Sequence, residues 1–213
     1  MRKTGGADRM QWACDGSTEG VGVPRTSRAQ AESHRREVLD AAAARVRERG
    51  TAAVTVPEVM AAAGLTHGGF YRHFDSKDDL IAQACTAAYA EKIREMEQIR
   101  AASADEAAAR RAFIARYLSA THRDAAGRGC GIAALAGDVG RAEPDSPLRR
   151  AYLDGIRNML GKLAEYGERP ADDRAVLVEL SVLAGALLLS RATAGDELSQ
   201  EILDAAREFL LDR

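Results

Sequence analysis

Residues 55–77 gather side chains suited to hydrogen bonding with an anionic polymer: Thr55, Thr66, His67, Tyr71, Arg72, His73 and Lys77, with Gly68 and Gly69 among them. An arginine pairs with guanine or phosphate, a histidine donates to base or phosphate oxygens, and a tyrosine hydroxyl bonds a phosphate. Two glycines in a helix cost about 1 kcal/mol each relative to alanine. Close approach to a sugar-phosphate backbone gives them a reason, against the plainer reading of a frayed helix end. Cys130 offers a second chemistry: beside Arg128 and ahead of an apolar helix it is a candidate redox sensor, because a cation and a helix N-terminus both favour the thiolate. The competing reading is a small buried residue in a tight turn, as Cys85 among Ile81, Ala84 and Ala88 reads as core. His122 has no Glu-x-x-His pattern around it, no Gly-x-Ser-x-Gly elbow occurs, and the glycines at 127, 129 and 131 follow a helix rather than a strand. The expectation is no catalytic residue, no cofactor, no metal and no enzyme.

The elements that must hold these residues are helical. Thr55-Val56-Pro57-Glu58 spells a capping box with proline in the first turn, and Val56, Val59, Met60 and Ala63 recur at helical spacing until Gly64 stops the helix. Thr66 is placed to cap the next short helix, with Leu65 and Phe70 as its anchors. Upstream, residues 33–49 carry a stripe of Val38, Leu39, Ala42, Ala43 and Val46, with Arg35, Arg36, Arg45, Arg47 and Arg49 outside it. Downstream, Ser76-Lys77-Asp78-Asp79 spells a second capping box opening a helix to about residue 97, where Lys77 and the free first-turn amides suit a phosphate.

The run TVPEVMAAAGLTHGGFYRHFDSKDDL resembles the helix-turn-helix of TetR-family (TetR/AcrR) transcriptional regulators in Ala63-Gly64-Leu65, Phe70-Tyr71, Phe74 and Ser76-Lys77-Asp78-Asp79-Leu80. The likeness is detailed over about residues 34–82 and elsewhere rests on length and helical layout. His67 and Gly69 stand where Lys or Arg and a small hydroxyl residue or alanine are more usual, which leaves the operator sequence open. The resemblance implies an all-α chain with an N-terminal three-helix helix-turn-helix domain at 31–80. A helical ligand-binding and dimerisation domain at 81–213 would follow, about nine helices in all. It implies a homodimer on a palindromic double-stranded operator, acting as a repressor released by a small-molecule effector. Alternatives are a regulator switched through Cys130 and, from another class, a helical scaffold without DNA function.

The remaining residues fill in this outline. Further helices are expected at residues 103–121, 132–139, from 147 through Leu163, 171–194 and 196–211. Phe113, Tyr117, Leu135, Tyr152 and Met159 are the candidate pocket residues. Leu177, Leu180, Ala184, Leu187 and Leu188, with Leu198, Ile202, Ala205 and Phe209, give the last two helices more apolar surface than one domain needs, so dimerisation is expected there. A net charge of −2 supplies no global basic field, so any DNA contact must be a local patch. Cys14, Cys85 and Cys130 lack disulfide or zinc spacing, which fits a reducing cytoplasm. The apolar run 180–190, bounded by Glu179 and Arg191, falls short of a membrane span, and no signal-peptide core leads the chain. Residues 1–30, rich in glycine and without period, read as a disordered extension. Two readings compete with that: a DNA-tracking arm using Arg2, Lys3, Arg9, Arg25 and Arg28, or sequence upstream of a start at Met10 or Val23.

Overall fold

The computed structural model describes residues 28–167 and 169–212, so the expectations for residues 1–27 lie outside the described residues. Helix α1 (Arg28–Arg49) starts earlier than residue 33, buries Val38, Ala42, Ala43 and Val46, and ends at Gly50. There φ is 77°, a conformation glycine alone adopts without strain. Arg47 is a correction to the outward arginine face. It is 6% exposed, and its guanidinium donates to Glu91 at 2.8 Å and to the Gly129 carbonyl at 3.4 Å. A long stem lets arginine bury along a helix flank when its head finds acceptors.

Helix α2 (Val56–Ala62) forms as the capping box requires. Thr55 Oγ1 accepts from the Glu58 amide, the Glu58 carboxylate accepts from the Thr55 amide, and Gly64 ends the element at a φ of 69°. A six-residue 3-10 helix, His67–Arg72, follows in place of the expected α-helix. Six residues containing a glycine pair gain too little to repay α-helical nucleation, and the tighter turn suffices. Helix α3 (Lys77–Ala101), 25 residues long, runs unbroken across the expected domain boundary at residue 80. Its Gln83 and Glu91 pair with α1, while Met96 and Tyr89 meet the later helix α7 (Pro147–Tyr166).

Helix α4 (Glu106–Tyr117) is capped by Asp105 and stops at Leu118, because Ser119 caps a separate short helix, α5 (Ala120–Asp124). A 3-10 turn at Ala126–Arg128 leads to α6 (Gly131–Arg141). The last helices are α8 (Arg174–Ala192) and α9 (Leu198–Leu211), joined through Gly195 with φ 95°. Nine α-helices thus stand among the described residues, though α5 is additional and the recognition segment is 3-10. One buried core links all of them but α5. Arg110 on α4 donates twice to Glu179 on α8, at 3.0 and 3.2 Å, and once to the Leu210 carbonyl of α9 at 3.1 Å, which locks those three helices together. By length and composition α8 reaches that of a membrane-crossing helix, against the expectation from residues 180–190. Its buried face, with Leu180, Leu183 and Leu187, packs into the bundle and carries the Glu179 ion pair.

Candidate DNA-binding interface

The 3-10 helix is anchored from beneath. Phe70 and Phe74 stack at 5.6 Å and are buried with Val59 and Met60, and the Leu65 amide donates back to the Met60 carbonyl at 2.9 Å. Above that floor His67, Gly68, Tyr71 and Arg72 face outward, Tyr71 at 75% exposure. Lys77, at the first position of α3, is exposed beside them. Among the described residues the side chains of Tyr71, Arg72, His67 and Lys77 make no hydrogen bond or ion pair, so their donors are available to a ligand.

The glycine pair needs no intrachain explanation, and none exists. Neither Gly68 nor Gly69 has a positive φ; a Cβ at Gly68 would meet nothing within 4 Å, and one at Gly69 only Met60 Cε at an ordinary 3.7 Å. Thr66 departs from expectation: its hydroxyl makes no cap, and only its carbonyl holds the turn, accepting from the Gly69 amide at 3.1 Å. The hydroxyl is therefore left outward. Thr55, in contrast, commits its hydroxyl to Glu58, at 2.8 Å, and that bond, first among the causes, holds the Glu58 carboxyl below its usual range. His73 is half-buried, and burial first, then the positive neighbours His34, Arg35 and Arg72, lowers its pKa, so the ring is neutral near pH 7.

A polar chain fixes the start of α3 against α1. Arg35 lies over the Phe74 ring at 5.4 Å and bonds Gln83, whose amide donates to both Asp79 oxygens at 2.9 Å. Ser76 Oγ accepts from the Asp79 amide, but Asp79 accepts from the Asp75 amide and not from Ser76, so the second capping box closes one residue early. A further contact reaches this unit from α6. The Thr51 amide donates to Asp138 Oδ2 at 2.7 Å, and Asp138 also crowds Gly50, where a Cβ would sit 3.1 Å away. No spacing rule announces a bond between residues 87 positions apart.

The residues proposed to line a pocket, Phe113, Tyr117, Leu135, Tyr152 and Met159, are all buried in the core. The open cleft of about 660 Å³ between α3 and α7 is lined by others, Tyr89 and Gly155 among them. Cys130 is buried too, at the cap of α6, with its amide donating to His122 Nε2 at 3.1 Å, whereas Arg128 is exposed. The pairing of a surface thiol with a cation, on which a redox sensor would rest, is not what the fold builds.

Residues 38–84 match the family model described as bacterial regulatory proteins, tetR family. Over 47 residues the chain is 47% identical to the HTH-type transcriptional repressor KstR2 of Rhodococcus jostii (strain RHA1), a match covering 22% of this chain and 23% of that protein. It therefore spans about a quarter of the length of the curated relatives it matches. The solved TetR transcriptional regulator from Chloroflexus aurantiacus J-10-FL superposes with a TM-score of 0.69 at 25% identity, covering 86% of this chain and 95% of that one. Escherichia coli NemR in its reduced form gives a TM-score of 0.68 at 18% identity, with coverage of 82% and 95%. The described helices thus follow one known arrangement, and the segment with outward donors lies within the residues that match the family model. The chain carries the DNA-binding domain of the TetR family of bacterial regulatory proteins, on the fold that TetR-family regulators share.

Proposed function

We propose that the chain is a homodimeric transcriptional repressor that binds a palindromic operator and is released from it by a small-molecule ligand. The observation that carries the reading is the outward set His67, Tyr71, Arg72 and Lys77 on a segment whose glycines serve no need of the fold. Arg72 reads a base edge or phosphate, Tyr71 and Lys77 hold phosphates, and Gly68 lets the backbone approach the duplex. One short segment contacts few base pairs, so a two-fold pair of them is required for useful specificity.

The face for that pairing is on α8 and α9. Leu177, Ser181, Ala184 and Leu188 follow spacings of four, three and four, and Leu198, Ile202, Ala205 and Phe209 repeat the same spacings. Leu177, Leu188, Leu198 and Phe209 are exposed, whereas Leu180 and Leu187 turn into the chain's own core. Two such helices meeting their copies make a four-helix bundle. The test is a titration of DNA from the chain's own upstream region, followed by fluorescence anisotropy at several salt concentrations. Arg72→Ala is expected to weaken binding about tenfold or more with an unchanged melting temperature. Undiminished affinity removes Arg72 from the interface, and absence of salt-dependent binding to any genomic fragment removes the DNA function.

A further inference from the structure

A cleft of about 760 Å³ opens to solvent between α3, the turn from α4 into α5, and the 3-10 turn at Ala126–Arg128. Ala115 and Ala125 are the only apolar side chains that line it, so it offers an occupant polar contacts and almost no greasy wall. Four cations border it, Lys92, Arg94, Arg116 and Arg128, against two carboxylates, Glu91 and Glu95. Both carboxylates are committed. Glu91 accepts from Arg47 beneath at 2.8 Å, and Glu95 takes Lys92 and Arg116 together. Arg94 and Arg128 are exposed, and among the described residues their side chains make no hydrogen bond or ion pair.

The charges around this wall cancel and leave the excess standing. Arg191 donates only to the carbonyls of His122 and Arg123, and Glu48 lies over Gly127 without pairing with Arg128, so these two offset each other. Arg36 and Asp40 do the same in the groove over α1 that Arg94 and Arg128 also border. Lys92 is 5% exposed, and its ammonium, with three donors, has one acceptor, Glu95. A buried cation short of acceptors is costly, and an anion in the cleft relieves it. Ser119 is engaged by the Arg116 carbonyl and the His122 amide, and His122 uses both ring nitrogens. Gln98 and Thr121 are exposed, and their side chains make no internal bond among the described residues. A surplus of two cations suits a dianion. A phosphate monoester carries roughly −1.5 to −2 at pH 7 on one tetrahedral group whose oxygens match guanidinium forks, whereas a single carboxylate answers only one of the two.

We propose that this cleft is the effector site and that it takes a small polar phosphate ester: Arg94 and Arg128 hold the phosphate, and Gln98 and Thr121 donate to oxygens on the rest of the molecule. The assignment rests on the ligand-controlled reading above only for what binding does to DNA affinity. Its test uses the full chain and two probe pairs, glucose 6-phosphate with glucose and glycerol 3-phosphate with glycerol, with succinate and inorganic phosphate alongside. Calorimetric titration is expected to show at least one ester binding about tenfold more tightly than its parent alcohol, than succinate and than inorganic phosphate. In the Arg94→Gln/Arg128→Gln variant that affinity falls about tenfold or more. Both arginines are exposed and unpaired, so the variant is expected to melt with the parent. Arg72→Ala, which alters the DNA-facing cations instead, is expected to leave ester binding unchanged. Failure of both esters to bind, no preference over the parent alcohols, equal or tighter binding of succinate or inorganic phosphate, binding that survives the double substitution, or binding lost in Arg72→Ala overturns the proposal. An ester that binds as described while leaving operator affinity unchanged supports the site and refutes ligand control of DNA binding.

Discussion

At the scale of single residues, Gly68 separates the demands of folding from those of binding. With a negative φ and open space around its missing Cβ, it can become alanine without strain. Gly68→Ala is therefore expected to leave stability unchanged or raise it by up to about 1 kcal/mol in thermal unfolding. Operator affinity should fall tenfold or more, and a variant that binds as well as the parent shows that no close approach occurs there. His122 makes a prediction in pH. Burial first, and then Lys92, pushes its pKa down to about 4 from 6.5. The ring is held neutral between the Tyr117 carbonyl at Nδ1 (2.7 Å) and the Cys130 amide at Nε2 (3.1 Å). The unfolded chain takes up this proton first, so the contribution is complete above about pH 6.5 and is lost as pH falls toward 4, about 3 kcal/mol in all. Urea unfolding between pH 7.5 and 4.5, with His122→Gln for comparison, measures it; equal pH slopes in the two proteins refute the assignment.

At the scale of elements, the α3–α7 seam depends on one absent side chain. A Cβ at Gly155 would sit 2.3 Å from the Tyr89 ring, which Tyr152 in turn meets edge-on at 6.0 Å. Gly155→Ala should cost about 1–3 kcal/mol in urea unfolding, as overpacking does. Gly161→Ala, with nothing within 4 Å, should be neutral or stabilising by up to about 1 kcal/mol. Equal effects of the two would show that the seam yields freely. The local code made the DNA-binding unit readable: Thr55 with Glu58, the stop at Gly64, and Phe70 and Phe74 at anchor spacing are decided within a few residues of one another. Long-range partners were not readable. Arg47 looked like any surface arginine until Gly129 and Glu91 were brought to it, Ser119 broke a pattern that periodicity alone carried on to residue 121, and Tyr89 had no motif at all. The core positions of Phe113, Leu135 and Met159 were legible as apolar, but not which apolar residues border a cleft.

At the scale of the whole molecule, the proposed dimer makes operator binding depend on the α8–α9 face. Leu188 is 48% exposed in the single chain. Leu188→Arg should therefore cost that chain little, yet convert a dimer to a monomer by sedimentation and weaken operator binding with it. A dimer that persists moves the interface elsewhere. Within each chain α3 belongs to both halves, holding α1 through Gln83 and Glu91 and α7 through Tyr89 and Met96. No loop intervenes, so under the proposed ligand control a tilt of α3 would be carried to its first turn. At ~1.5 Å per residue its length is about 37 Å, and a tilt of about 5° pivoting at its far end carries the DNA-facing end about 3 Å. In the proposed dimer the two displacements combine to about 6 Å against half-sites roughly 34 Å apart. By the same geometry Tyr89, about 18 Å from that pivot, moves about 1.6 Å, so in the proposed dimer an adjustment of that size at the α3–α7 seam becomes a mismatch with the pitch of the duplex.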